Sequence, residues 1–206
     1  QSGGHFGAGL GAIELTIALH YVLDLPNDKI VWDTGHQAYP HKILTGRKDK
    51  IHKIRQLDGL AAFPSIAESD YDAMSVGHSS TSISASLGMN EANQLLKGTK
   101  TIFSVIGDGA MTAGLAFEGL MHAGHLGRDL NIILNDNDMS IARPVGAMST
   151  YLSKIFSGKI YFSLRETIKL ITSAFSKRFS AKAGKAEDLL RSAVTGGTLF
   201  SSLGFY

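Results

Sequence analysis

The strongest structural signal in the chain is Thr101-Ile-Phe-Ser-Val-Ile-Gly-Asp-Gly-Ala110. It opens with a short, mainly apolar run, which is typical of a buried parallel strand. A second such run, Leu130–Leu134, follows a helical pattern over Thr112–His125, and Gly124 and Gly127 are placed to end that helix. Strand, helix and strand together predict one right-handed crossover unit of an α/β fold.

Polar residues follow both of these strands. Asp108 comes just after the first strand, and Asn137 follows the second within Asn135-Asp-Asn-Asp-Met139. Because ligands bind where the carboxyl ends of parallel strands meet, we expect the Asp108 carboxylate and the Asn137 carboxamide to lie close together. Such oxygens suit Mg²⁺, whose shell is usually completed by phosphates and water. Gly109 and Ala110 lead into a helix start, where free N–H groups favour a phosphate. The two clusters therefore predict a metal-diphosphate site.

Each cluster also has an ordinary structural explanation when it is taken alone. Gly-Asp-Gly is a common turn sequence, and Asn-Asp-Asn is a good loop or cap sequence. Their spacing after two predicted strands is what favours a binding site. A dinucleotide fingerprint at Gly7-Ala-Gly-Leu-Gly-Ala12 fits formally, but no strand precedes it. We expect these small residues to allow close helix packing rather than to bind a nicotinamide cofactor.

The pattern along the rest of the chain is typical of a doubly wound, mainly parallel sheet with helices on both faces. We expect a strand over Ile30–Asp33, a long loop before Ser79, and helices over Gly7–Leu23, Tyr39–Leu44, Lys48–Leu57 and Thr81–Leu96.

The sequence changes character after Pro144. Exposed helices are expected over Thr150–Ser157, Leu164–Phe179 and Ala186–Ala193, with Ser, Gly and Lys between them. We therefore predict a cofactor-binding domain over residues 1–149. A helical, basic and mobile extension is expected over residues 150–206.

Composition narrows the class of protein. The chain has 206 residues and 44% hydrophobic content, which is enough for one good core. It contains no cysteine, so disulfides and thiol chemistry are excluded. No apolar stretch reaches about 20 residues and no leader pattern opens the chain, so we predict no membrane partner.

The formal net charge of +2 conceals a basic segment. Residues 154–191 hold nine Lys or Arg against three Asp or Glu. Such a surface could attract a phosphorylated substrate or a nucleic acid, or it could be a solvated helical face. Aromatic residues do not alternate with the charges as they do in nucleic-acid platforms, so we favour the solvated face and expect no nucleic-acid partner.

Histidine follows glycine at His5, His36, His78 and His125. His125 lies at a predicted helix end, where capping explains it. The other three are expected in tight loops at the ligand edge, where an imidazole can titrate near neutrality beside a substrate. Zinc is disfavoured, because the chain has neither cysteine nor a close metal-binding histidine pattern.

Five motifs in order resemble the 1-deoxy-D-xylulose-5-phosphate synthase family of thiamine-diphosphate enzymes. They are Ser2–Phe6, Asp33–Arg47, Gly77–Ser84, Gly107–Gly114 and Asn135–Ile141. The resemblance runs to about Gly158 and returns at Gly197–Tyr206. One departure is Ala142, where many relatives would carry a serine.

The resemblance implies a role for each site residue. Asp108, Asn137 and Met139 would bind the magnesium ion of thiamine diphosphate. The cofactor itself would be contacted by residues of four segments, namely His36, Gly77, His78, Ser79, Gly109, Ala110 and Asn137. His5 and His36 would be catalytic, with His5 near the thiazolium ring to assist proton transfers.

The resemblance also implies a reaction and a setting. A transferase of this family decarboxylates pyruvate and condenses the two-carbon unit with D-glyceraldehyde 3-phosphate, giving 1-deoxy-D-xylulose 5-phosphate and CO₂. The product feeds isoprenoid, thiamine and pyridoxal synthesis. A homodimer is implied, located in the bacterial cytoplasm or in a plant plastid.

Two other functions stay open at the level of the sequence. A transketolase or related thiamine enzyme would use the same metal site with another donor, and a non-catalytic cofactor-binding module would need no further domain. Enzymes of this class take a catalytic glutamate from a pyrimidine-binding domain, which we expect beyond Tyr206. The 206 residues alone are therefore expected not to turn over. Glu14 and Glu118 lie in helical apolar patterns and are expected to make a buried hydrogen bond or a helix contact rather than to be catalytic.

Overall fold

The computed structural model describes residues 6–136, 147 and 199–205, with backbone only at Phe6. The chain divides into two structural units, Gln1–Pro144 and Val145–Tyr206. The boundary predicted near residue 149 and the three helices predicted beyond it lie outside the described residues. In the second unit one short helix, Leu199–Ser202, is described.

The first unit is built on a parallel sheet of three strands. β1 (Lys29–Asp33), β2 (Ile102–Gly107) and β3 (Asn131–Asn135) pair in that order, with Asp33 opposite Ile106 and Gly107 opposite Asn135. Both predicted crossover strands are confirmed to within about one residue. All three strands run in the same direction, so their carboxyl ends meet at one edge.

One face of the sheet packs against α2 (Ile13–Val22), which follows the short α1 (Phe6–Leu10). Its core residues are Leu19, Ile30, Trp32, Ala38 and Val105, flanked by the partly buried Leu15, Leu23, Leu25, Phe103 and Ile133. Ile30 and Trp32 are two residues apart, so the strand period places them on the same face.

The opposite face packs against α4 (Ser82–Leu95), which follows the short α3 (Tyr39–Lys42). Ser104 in β2 donates its hydroxyl hydrogen bond to Ser82 at 2.8 Å, and both side chains are buried. β2 then leads through the four-residue α5 (Asp108–Met111) into α6 (Gly114–Leu126). Helices therefore cover both faces of the sheet, and the α/β class is confirmed. The doubly wound topology stays a prediction.

The predicted helix over Gly7–Leu23 is wrong in one respect, because the chain turns at Gly11 and Ala12 between α1 and α2. Three glycines in this stretch, Gly7, Gly9 and Gly11, weaken the helix by roughly 1 kcal/mol each relative to alanine. Ala12 is fully buried, with φ −114° and ψ 3°, so the turn is packed into the fold.

The charged helix predicted over Lys48–Leu57 is also wrong. A 3₁₀ helix spans Lys48–Lys53 and ends there. Arg55 and Asp58 follow with φ of 66° and 56°, which an α-helix of L-residues cannot contain. The long loop predicted before Ser79 is confirmed, since residues 54–81 contain turns but neither a helix nor a strand. In the described part of the chain, no helix has the length and apolar character needed to cross a bilayer.

α4 and α6 pack closely at Gly119. A Cβ atom built there would lie 2.8 Å from the Ser84 hydroxyl oxygen and 3.0 Å from Cγ2 of Ile83. The same atom at Gly88, on the exposed side of α4, would meet nothing within 4 Å. Both glycines lie inside helices, so the space around them is the main difference between the two positions.

We expect Gly119→Ala to destabilise the protein although alanine is the better helix former, because the methyl group forces α4 and α6 apart. Gly88→Ala is the matched control, which should stabilise by about 0.5–1 kcal/mol. Urea unfolding of both variants measures the difference. Equal stabilisation by the two substitutions would contradict close packing at Gly119.

Candidate functional site

Asp108 lies where the sequence places it, at the carboxyl end of β2. Gly107 is extended, with φ −79° and ψ 157°, and Asp108 is the first residue of α5. The helical turn therefore begins at the predicted metal ligand itself, four residues before the predicted helix start. The Asp108 side chain is partly exposed, and no described residue donates a hydrogen bond to its carboxylate.

The loop Gly77–Ser80 is joined to this strand end by Ser80. Ser80 is 1% exposed and has φ of 72°, and its hydroxyl donates a hydrogen bond to the Ala110 carbonyl at 2.6 Å. Its backbone N–H donates to Oδ1 of Asp33 at 2.8 Å. Ser80 therefore connects the loop both to α5 and to the end of β1.

Asp33 is the buried carboxylate that organises this edge. It is the last residue of β1 and is fully buried. Its second oxygen accepts a hydrogen bond from the backbone N–H of Ser82 at 3.1 Å, at the start of α4. Sequence reasoning gave Asp33 no role. The available signal was an acidic residue directly after the apolar run Ile30-Val-Trp32.

Gln37 links the ends of β1 and β3. Its side-chain amide donates to the Asp33 carbonyl, and its Oε1 accepts from Nδ2 of Asn135 at 2.8 Å. Asn135 also donates to the Gly11 carbonyl, at 3.4 Å, in the turn between α1 and α2. Gln37 is 5% exposed, so its bond to the Asp33 carbonyl is shielded from water. The strand ends are thereby fixed relative to one another.

His36 belongs to a 3₁₀ helix over Gly35–Ala38, directly after β1. Arg55 lies 3.2 Å from its Nδ1, and the Phe63 ring meets the imidazole edge-on at 5.0 Å. Since a guanidinium can only donate, Nδ1 accepts and the neutral ring carries its proton on Nε2. A Cβ at Gly35 would lie 2.3 Å from the Phe63 ring, so only glycine lets Phe63 reach His36.

His78 is exposed and carries the opposite tautomer. Its Nδ1 lies 2.7 Å from the carbonyl oxygen of Ser79. A carbonyl can only accept, so the proton lies on Nδ1 and the Nε2 of the neutral ring is free to accept. The site loops therefore present one imidazole able to donate at Nε2, His36, and one able to accept there, His78.

A chain of hydrogen bonds behind the site joins two histidines to a carboxylate. His20 meets Nδ1 of His41 at 2.9 Å, and Nε2 of His41 meets Asp72 at 3.2 Å. Burial, and then the neighbouring His41, lower the pKa of His20 to about 4 from its ordinary 6.5. Since Asp72 can only accept as a carboxylate, His41 donates to it and accepts from His20.

Asp72 also pairs with Arg47 through two hydrogen bonds, of 2.7 and 2.9 Å. Burial by itself would raise the pKa of Asp72, but hydrogen bonds from His41 and Arg47 outweigh it and hold that pKa well below its usual range. Burial would lower the pKa of Arg47, yet Asp72 and Glu68 raise it above the ordinary value. Both groups are therefore charged at neutral pH. Sequence reasoning did not find this pairing.

Three predicted site residues, His5, Asn137 and Met139, lie outside the described residues. Within residues 6–136, 147 and 199–205, no three His, Asp or Glu side chains are placed to hold a metal ion. The structure brings together the loops that carry His36, His78 and Asp108. Glu14 and Glu118 are exposed on α2 and α6, so the expectation of a buried hydrogen bond is wrong for both.

Comparison with known proteins identifies one family. The protein-family model described as 1-deoxy-D-xylulose-5-phosphate synthase matches residues 1–206, the whole of the chain.

The first prediction from the site concerns Asp33. Asp33→Asn replaces one of its two accepting oxygens with a donor, which would face a backbone N–H. We expect the free energy of unfolding to fall by about 2 kcal/mol, because hydrogen bonds to a buried charge are lost. The control is Asp129→Asn, at an exposed position. Urea unfolding measures both, and equal effects would show that the buried carboxylate has no special role.

The second prediction concerns pH. The pKa of His20 is about 4 when folded and near 6.5 when unfolded, so the unfolded chain binds the extra proton first. The contribution of His20 to the free energy of unfolding is therefore full above about pH 6.5, and it is lost as the pH falls towards 4. We expect His20→Gln to reduce the loss of melting temperature between pH 7 and pH 5. The exposed His122→Gln is the control and should keep the wild-type slope.

Proposed function

Because the chain belongs to the 1-deoxy-D-xylulose-5-phosphate synthase family, we propose that its strand-end edge binds the diphosphate of thiamine diphosphate together with Mg²⁺. The family implies a thiamine-diphosphate-dependent transferase, with pyruvate and D-glyceraldehyde 3-phosphate as substrates. In our proposal the enzyme decarboxylates pyruvate and condenses the remaining two-carbon unit with the aldehyde. The products are 1-deoxy-D-xylulose 5-phosphate and CO₂.

The observation that carries this proposal is the position of Ser80. Its hydrogen bonds to Asp33 and Ala110 hold the Gly77–Ser80 loop against the ends of β1 and β2. Loops that are far apart in sequence thus share one edge, as a diphosphate site requires. Among the described residues, none lies within 4 Å of a Cβ built at Gly77 or Gly109, so these residues leave the backbone there open to a ligand.

The residues present suit a metal-bound diphosphate. The Asp108 carboxylate would bind Mg²⁺ with the Asn137 side-chain oxygen and the Met139 backbone carbonyl, since this ion takes oxygen ligands and shares its shell with phosphates. Backbone N–H groups in the first helical turn at Gly109 and Ala110 lack intrahelical partners and would donate to phosphate oxygens. Bound thiamine diphosphate supplies the electron sink that stabilises a carbanion, which no protein side chain can provide.

The histidines are proposed to move and hold protons beside the cofactor. His36 offers an N–H at Nε2, and Arg55 and Phe63 fix its ring. His78 offers an acceptor at Nε2. An imidazole can donate a proton to a substrate oxygen or accept one from it during catalysis. His5 is proposed to act in the same way.

We also propose that residues 1–206 bind the cofactor without turning over by themselves, with the activating glutamate on a further domain. A homodimer, in the cytoplasm or in a plastid, remains part of the proposal. A transketolase-type donor is the second candidate, because the same metal-diphosphate edge would serve it.

The experiment uses the full-length gene product. Pyruvate and D-glyceraldehyde 3-phosphate are supplied with and without thiamine diphosphate and Mg²⁺, and the product is identified by mass spectrometry. Cofactor-dependent 1-deoxy-D-xylulose 5-phosphate supports the proposal. Transfer from a ketose phosphate without use of pyruvate would move the protein to the transketolases. No cofactor binding at all would reject the site.

Asp108→Ala tests the metal ligand directly. We expect Mg²⁺-dependent binding of thiamine diphosphate to weaken by more than about a hundredfold, because the carboxylate is lost from the shell. Asp70→Ala, at an exposed position in the long loop, is the matched control. Calorimetric titration in Mg²⁺ measures both affinities, and melting temperatures check the fold. An unchanged affinity would remove Asp108 from the site.

A further inference from the structure

Four charged side chains form a buried ion cluster behind the site: Lys42, Arg47, Glu68 and Asp72. Their side chains are 0%, 7%, 16% and 0% exposed respectively. Two are cations and two are anions, so the cluster is neutral as a whole. Lys42 pairs with Glu68, and Arg47 pairs with both acids. Each charge therefore has an opposite charge beside it, as burial demands.

The cluster joins two segments that are separated in the sequence. Lys42 and Arg47 come from the segment that starts with α3, and the acids come from the long loop over residues 54–81. Replacing a buried ion pair with apolar residues is often neutral or stabilising, so such clusters are weak evidence for stability. What a hydrogen-bonded cluster does supply is a fixed orientation of the groups that it joins.

Asp72 shows this directional constraint. Its oxygens accept both bonds from Arg47, one from His41, and one from the backbone N–H of Ser65 at 2.8 Å. Glu68 accepts from the backbone N–H of Ala61 at 2.7 Å. The two acids thus hold the loop backbone at two points. An apolar contact would allow this loop to slide.

The amino-terminal part of the loop that Glu68 and Asp72 hold contacts His36. Ala61, bonded to Glu68, is two residues before Phe63, whose ring meets the His36 imidazole edge-on and fills the space above Gly35. A shift of the loop would move Phe63 away from both residues.

The other end leads to the Gly77–Ser80 loop. Val76 is buried, and its N–H donates to the Pro64 carbonyl at 3.0 Å, beside the Ser65 N–H that Asp72 holds. Gly77 follows directly. The loop that carries His78 therefore begins at a point set by Asp72 and ends at Ser80, which Asp33 holds.

We propose that Arg47 and Asp72 are positioning residues for the cofactor site, which set the places of His36 and His78 without touching the cofactor. The link to cofactor binding rests on the function proposed above. The link to loop position does not, because it can be measured without a cofactor.

Hydrogen–deuterium exchange of the full-length protein without cofactor tests the loop directly. The variants are Asp72→Asn, Arg47→Gln and the milder Arg47→Lys, which keeps the charge but loses the two-pronged donor. We expect amides over residues 61–80 and 35–38 to exchange at least about tenfold faster, with β2 and β3 unchanged. Arg47→Lys should lie between Arg47→Gln and wild type. Unchanged exchange, or equally faster exchange everywhere, would overturn the proposal.

A matched control comes from a second ion pair. Nη2 of Arg128 donates a hydrogen bond to Oε2 of Glu91 at 3.2 Å, and Nε of Arg128 donates to Oε1. This pair is partly exposed and lies outside residues 35–80. Glu91→Gln should leave exchange in the site loops at the wild-type rate. Should Asp72→Asn fail to fold, Arg47→Lys and the partly exposed Glu68→Gln decide the question.

Titration with thiamine diphosphate and Mg²⁺ then tests the consequence, at a temperature where every variant is folded. We expect the Kd to rise about tenfold, or about 1.4 kcal/mol, while kcat at saturating cofactor stays within about threefold, because bound cofactor restores the loop. Looser loops with an unchanged Kd would overturn the positioning role. Failure of the wild type to bind would reject the proposed function instead, and the exchange result would still stand.

Discussion

The Asp33 carboxylate, buried at the end of β1, is the constraint on which the rest of the site depends. A buried charge is tolerated only when hydrogen bonds replace its lost hydration. Asp33 obtains them from the backbone N–H groups of Ser80 and Ser82. The strand end, the loop before α4 and the start of α4 must therefore meet at one point. Because Ser80 also bonds to Ala110, the end of β2 is drawn to the same place.

Two sets of buried polar residues support the open edge. Asp33, Gln37 and Ser80 fix the strand ends, and the ion cluster fixes the long loop over residues 54–81. The apolar core of Leu19, Trp32 and Val105 lies beneath them. Apolar packing sets how the helices lie against the sheet, but it constrains the orientation of individual groups weakly. Hydrogen bonds to buried charges fix that orientation, because each one tolerates little change in angle.

Sequence reasoning succeeded where a signal is local. β2 and β3 were recognisable because short apolar runs are typical of parallel strands, and Asp108 was placed correctly because it follows one of them. It failed where the decisive interaction is distant. Lys42 and Arg47 were given no role, since their partners Glu68 and Asp72 lie 21 to 26 residues further along the chain. The charged run over Lys48–Leu57 resembled a helix because no pattern reveals the positive φ at Arg55.

The distribution of roles within the motif Asp33–Arg47 explains why so long a stretch resembles one family. Asp33 and Gln37 connect the strand ends, His36 lies at the open edge, and Arg47 enters the ion cluster. His41, between them, passes a hydrogen bond from α2 to Asp72. Only one of these side chains is placed to meet a ligand. In the proposed function, the others hold the loops that carry the remaining site residues, so a substitution far from the cofactor would still disturb its binding. The proposed diphosphate site, made of short loops, would need such support, because the loops contribute little apolar surface of their own.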